Sequence, residues 1–112
     1  MPNMSFFLTT TAMRNRTKTH TIRLGWRKAK PGDVIRAVVK GRGLRPGQHV
    51  EPLATIQVDT AAFRPINSIT REEVIREGFP DKTPEQFVAW FTIRNKCQPT
   101  LCVTFIGFHF LD

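Results

Sequence analysis

Thr17-Lys18-Thr19-His20-Thr21-Ile22-Arg23 is the stretch on which the reading of this chain turns. Three threonines alternate with two basic side chains and lead into an isoleucine and an arginine. Thr and Ile are β-branched and favour extended backbone, so a strand is expected from about Thr19 to Leu24. Alternation along a straight strand puts Thr19, Thr21 and Arg23 on one face and Lys18, His20 and Ile22 on the other. Lys18 and Thr21 would then point apart. They can meet only if the backbone bends between them, as at a helix-to-strand junction. Their meeting matters chemically, because a lysine beside a hydroxyl is a base beside a nucleophile it could activate.

Upstream, Met4 to Thr9 reads as a first strand, and Thr10 or Thr11 is placed to cap a short helical turn through Ala12, Met13, Arg14 and Asn15. Downstream comes a basic loop, Gly25 to Lys30, then the turn Pro31-Gly32-Asp33 and a strand from Val34 to Lys40. A glycine-rich loop, Gly41 to Gly47, leads to a strand from Val50 to Thr60, where Ala54, Ile56 and Val58 alternate with polar residues. The two strands form a hairpin with a long basic loop. Thr70 and Glu73 make one capping box and Thr83 and Gln86 a second, the latter with Pro84 at the first helical position. Gly78 stops the first of these helices, and Phe87, Trp90 and Phe91 are spaced to bury one face of the second. Thr100 to Phe110 is the last long strand, with Gly107 as a candidate bulge. Together these elements predict a single α+β domain spanning 1–112: a small mixed β-barrel with two or three short flanking helices.

The 112 residues carry 17 Lys and Arg against 9 Asp and Glu, a net charge of +8. The excess is segregated. Between Arg14 and Arg45 there are eleven Lys and Arg, with His20 a partial twelfth, and Asp33 is the sole acid. Such a field suits a polyanionic or phosphorylated partner, RNA more readily than DNA, although it also serves solubility. No apolar run is long enough to span a bilayer, and the N-terminal apolar residues lack a basic segment before them, so a cytoplasmic protein without a membrane partner is expected. Cys97 and Cys102 are expected as free thiols. A metal would need two further ligands from His20, His49 or His109, so neither metal nor cofactor is expected.

Lys18 is the candidate base. An ordinary lysine is protonated at neutral pH, and only burial and like charges, here Arg14, Arg16 and Arg23, favour its neutral form. Thr21 is the candidate nucleophile. Glu77, at a helix end beside Gly78 and Phe79, is a carboxylate whose burial would fit it for proton donation. Bland alternatives stand beside each: a phosphate-contacting lysine, a β-branched strand residue and a solvated helix-end glutamate. Trp26 could stack on a base or join the core. Arg23, Arg27, Lys28, Lys40 and Arg42 could hold phosphate. No Walker loop, G-x-S-x-G or paired-histidine metal motif is present.

The run Lys18-Thr19-His20-Thr21-Ile22-Arg23, then Pro31-Gly32-Asp33, then Glu77-Gly78-Phe79, resembles the ASCH domains, a branch of the PUA-like proteins. The resemblance covers nearly the whole chain from Ser5 and implies a small β-barrel with a cleft that binds RNA, DNA or a nucleotide. At K-T-x-T-I-R the chain is most similar to small bacterial amidohydrolases that deacylate N(4)-acetylcytidine. That likeness implies Lys18 as base, Thr21 as nucleophile and Glu77 as proton donor to the leaving amine. Other members are nucleases or nucleic-acid binders, so a non-catalytic binding module or a ribonuclease are the alternatives. The loops Arg27 to Lys30 and Lys40 to Arg45 carry more charge than a free-nucleoside enzyme needs, which points to a modified base within a polynucleotide.

Overall fold

Pro52–Pro65 forms the longest strand of the protein, 14 residues, and the other strands are arranged around it. The computed structural model describes residues 1–40 and 45–112. In chain order the elements are β1 (Asn3–Ser5), a 3-10 turn (Phe7–Thr9), α1 (Thr10–Arg14), β2 (His20–Arg23), β3 (Val34–Val38), β4 (Pro52–Pro65), a second 3-10 turn (Ile66–Ser68), α2 (Arg71–Glu77), α3 (Pro84–Asn95) and β5 (Cys102–Phe110). They form one five-stranded sheet in the order β1-β3-β4-β5-β2. All neighbours are antiparallel except β1 and β3.

The first half of β4 pairs with β3, from Pro52 to Gln57, while its second half runs along β5 as far as Pro65. A β-bulge lies between Val58 and Thr60, where Val58 faces Phe108 but Thr60 faces Gly107. The extra residue is therefore Asp59 on β4. Gly107 lies across from the bulge, at a strand position with no room for a side chain. A Cβ there would come within 2.5 Å of Thr60 Oγ1 and 3.2 Å of His20 Nε2. The predicted bulge is thus real, but its additional residue belongs to the partner strand.

Two separate apolar clusters pack against the sheet. One gathers Met4, Phe6, Met13, Ile35, Ile56 and Phe108 with their neighbours. The other lies beneath α2 and α3 and contains Ile22, Val74, Phe87, Phe91, Val103 and Phe105. Both helices begin with complete capping boxes, as the spacing predicts, and Gly78 closes α2 in the left-handed region at φ 106°. The Pro31-Gly32-Asp33 turn ties two strands together. Gly32 N–H donates to Val58 O at 2.8 Å and Val58 N–H donates to Asp33 O at 2.8 Å, which locks the entry of β3 onto β4.

Four expectations change. The first strand stops at Ser5, and Phe7–Thr9 coil into a 3-10 turn. Thr10 does not cap α1: its hydroxyl turns back to Phe6 O at 3.0 Å, a local bond that favours a turn over a strand. Nor does Thr11 cap this helix; Thr9 stands at its N-cap without a side-chain bond. Fourth, strand pairing does not complete a barrel. β1 and β2 are the two sheet edges and do not pair with each other. β1 is three residues long and β2 four, and each pairs along one edge only. Among the described residues no helix is long and apolar enough to cross a membrane.

Candidate functional site

The unclosed seam between β1 and β2 contains a cavity of about 220 Å³. Ser5, Phe6, Lys18, Thr21, Arg23 and Glu77 line it. Trp90, Phe91 and Arg94 of α3 close the far side.

Lys18 reaches this cavity because it precedes the strand. Arg16 adopts φ 60° after α1, Thr17 N–H bonds back to Ala12 O at 3.0 Å, and β2 begins only at His20. Strand alternation therefore holds from His20 onward and does not govern Lys18. Within β2, Thr21, Ile22 and Arg23 all line the cavity, and Ile22 also packs into the second apolar cluster. Glu77 arrives from the opposite direction. It is the last residue of α2, and the left-handed turn at Gly78 follows it.

Lys18 is 1% exposed and Glu77 6%. Lys18 Nζ donates to Glu77 Oε1 at 2.5 Å and to the Glu77 main-chain oxygen at 2.7 Å. Burial drives the lysine below its ordinary value, opposed by the Glu77 charge, and Arg23 lowers it further. Burial likewise raises the Glu77 carboxyl, opposed by Lys18, Arg23 and the Ile22 amide. Both groups are thus biased toward their neutral forms by the same dry surroundings. Glu77 Oε2 is buried without a hydrogen bond of normal geometry among the described residues.

Thr21 is 1% exposed. Its hydroxyl oxygen accepts from Arg23 Nε at 3.1 Å, and Arg23 Nη2 donates to Ser5 O at 2.5 Å. One guanidinium therefore bridges the two edge strands that do not pair, with its central carbon 4.8 Å from the Phe6 ring centre. Burial pushes Arg23 down from its ordinary value, yet an arginine stays charged. Among the described residues Lys18 and Thr21 share the cavity without a hydrogen bond between them.

The remaining candidates scatter. Trp26, at φ 64°, packs against the first apolar cluster and lines a separate recess with Lys28. Arg27 lies over the Phe63 ring at 4.1 Å. Lys40 lines a recess that also includes Trp26 and Arg23. Arg42 lies outside the described residues. Cys97 and Cys102 are half-buried free thiols, and no three His, Cys, Asp or Glu among the described residues gather as a metal site.

No protein-family model matches the chain, and no curated protein matches it significantly. Solved structures do. An ASCH domain from Lactobacillus crispatus JV V101 superposes with a TM-score of 0.66 at 12% identity, covering 97% of this chain and 78% of that one. Protein EF3133 from Enterococcus faecalis V583, described under DUF984, gives 0.65 at 20% identity, over 94% of this chain and 68% of that one. The hypothetical protein PH0355 gives 0.64 at 15% identity, over 98% and 96%. The chain has an ASCH-type fold.

Within that fold, sequence reasoning missed the α3 wall and the role of Phe6. Phe87, Trp90, Phe91 and Arg94 have helical spacing, and the first, second and third of them read as one buried face. Phe87, Phe91 and Trp90 do pack into the second apolar cluster, and Trp90, Phe91 and the exposed Arg94 line the cavity as well. An arginine four residues beyond a tryptophan on one helix face was the available signal.

Proposed function

We propose that this ASCH-type domain hydrolyses the amide of an N(4)-acylated cytosine, with Thr21 as nucleophile, Lys18 as base and Glu77 as proton donor to the departing amine. The observation that carries the reading is the buried Lys18–Glu77 contact at 2.5 Å beside the equally buried Thr21 in one cavity.

The chemistry follows from the contacts. A neutral Lys18 donating its two N–H groups to Glu77 Oε1 and Glu77 O keeps its lone pair for a third direction, that of an incoming proton. Arg23 Nε occupies one acceptor site of the Thr21 hydroxyl, so the threonine's own hydrogen must point elsewhere. The same charge stabilises the alkoxide that forms when that hydrogen leaves. Thr21 Oγ1 attacks the amide carbonyl carbon, the C–N bond breaks, and the amine departs with a proton from Glu77. Water then hydrolyses the threonine ester and returns the free acid. Glu77 Oε2, lacking a partner, is the oxygen that would carry the proton handed to the departing nitrogen. The half-buried Trp90 on the cavity wall offers a face for a planar base.

A chromatographic assay for cytidine released from N(4)-acetylcytidine tests this. Release by the wild type and none by Thr21→Ala is the expected result. Equal release by both would remove Thr21 from its role. A second reading, a non-catalytic nucleic-acid-binding module, is favoured by the charge of +8. It predicts no release by either protein and binding that weakens steeply with salt.

A further inference from the structure

The cavity at the seam is small. At about 220 Å³ it falls below the roughly 300–1,000 Å³ of pockets that enclose a drug-sized ligand, so it admits a base and its acyl group and leaves the sugar outside. A second recess of about 470 Å³ opens next to it, lined by Asn3, Met4, Trp26 and Lys40. The two share Ser5, Phe7 and Arg23 as a common rim. Phe7 is 60% exposed, which leaves an aromatic face open at that rim. Lys40 Nζ stands 5.9 Å from its ring centre. Among the described residues no acidic side chain lines this recess, and the sole acid of the cavity, Glu77, is already bound to Lys18.

We infer that the second recess is a subsite for the nucleotide flanking the target base, so that the substrate is a single-stranded polynucleotide rather than a free nucleoside. A backbone phosphate between the two nucleotides would lie at the shared rim, within reach of Lys40 and the cationic Arg23. The flanking base would stack on Phe7 or Trp26. Exposed aromatic faces beside cations are the pairing by which single strands are held without base-edge readout. The inference rests on the proposed deacylation for the identity of the target base, but not for the flanking contacts.

The test compares N(4)-acetylcytidine with the same base in the middle of a five-nucleotide single strand, made as RNA and as DNA. The expected result is a kcat/KM at least about tenfold higher for the pentamer in the wild type. That ratio should fall toward one in Lys40→Ala. A ratio near one in the wild type, or one that Lys40→Ala leaves unchanged, overturns the subsite. If neither substrate is hydrolysed, the deacylation reading fails while the subsite is still tested by fluorescence anisotropy with a labelled pentamer. There Lys40→Ala should weaken binding and make the log–log salt dependence shallower by about 0.7, the contribution of one phosphate contact to a single strand. Identical affinity and salt slope in the two proteins, or no binding by the wild type, would overturn it. Whether the RNA or the DNA pentamer gives the higher ratio identifies which polynucleotide is the source.

Discussion

Two cation–carboxylate contacts lie close to α1 and differ in almost everything but their chemistry. Arg14 and Glu51 meet at 2.9 Å with side chains 55% and 61% exposed. Lys18 and Glu77 meet at 2.5 Å with side chains 2% and 9% exposed. The first pair is surrounded by water, which screens it and makes it worth little. The second has lost its hydration, and its partners must supply what water would have given. Burial biases Lys18 and Glu77 toward exchanging a proton. A pair poised in that way is suited to chemistry, and the exposed one is not.

The largest expected difference between them is in turnover. If the proposed mechanism holds, Lys18→Met and Glu77→Gln each lower kcat for N(4)-acetylcytidine by roughly 10²–10⁴-fold, the usual contribution of a positioned acid or base. Arg14→Gln should leave it unchanged. A Lys18→Met enzyme with wild-type kcat would erase the contrast.

The next difference is in stability. Breaking a buried pair from one side leaves the other charge without compensation, so Lys18→Met should lose about 3–5 kcal/mol in urea unfolding. Glu51→Gln should move the midpoint hardly at all. Equal midpoints for the two variants would mean that Glu77 is better hydrated than its 6% exposure implies.

The smallest effect is a pH dependence in Lys18→Met. There Glu77 loses the lysine charge that opposes burial, and its folded-state pKa rises further above the ordinary value. The folded protein then holds a proton that the unfolded chain has released above about pH 4.3. Stability is greatest at acidic pH and falls as pH rises from that value through the raised folded one. Thermal unfolding should therefore give a gap from wild type that is wider at pH 8 than at pH 5. A gap of constant width would show that Glu77 is not carrying the effect.

Much of this is legible in the residues. Thr70 with Glu73, and Thr83 with Gln86, fix both helix starts through contacts three residues apart, and such local rules transfer directly from sequence. Lys18, Thr21 and Glu77 stand out by type and motif, and they do line one cavity. What stays hidden depends on distant contacts. Strand alternation separates Lys18 from Thr21, because nothing local shows that pairing to β5 begins at His20 and not before. The barrel expectation fails for a related reason: strand count is readable from pattern, whereas closure depends on whether the two edge strands, β1 and β2, pair across the seam. The alternation of Ala54, Ile56 and Val58 stops near Thr60 and suggests that β4 ends there, although the strand continues to Pro65.

That interruption has a consequence of its own. A strand is read in twos, like a code with a two-letter word, and Asp59 is an inserted letter. Before it, even-numbered residues Ala54, Ile56 and Val58 enter the first apolar cluster; after it, the odd-numbered Ala61 does. Deleting Asp59 would therefore cancel a frameshift written in space, because Thr60 would follow Val58 directly and still face Gly107. Each residue from Thr60 to Pro65 would keep its side of the sheet and its partner on β5, and only the bulge itself would be lost.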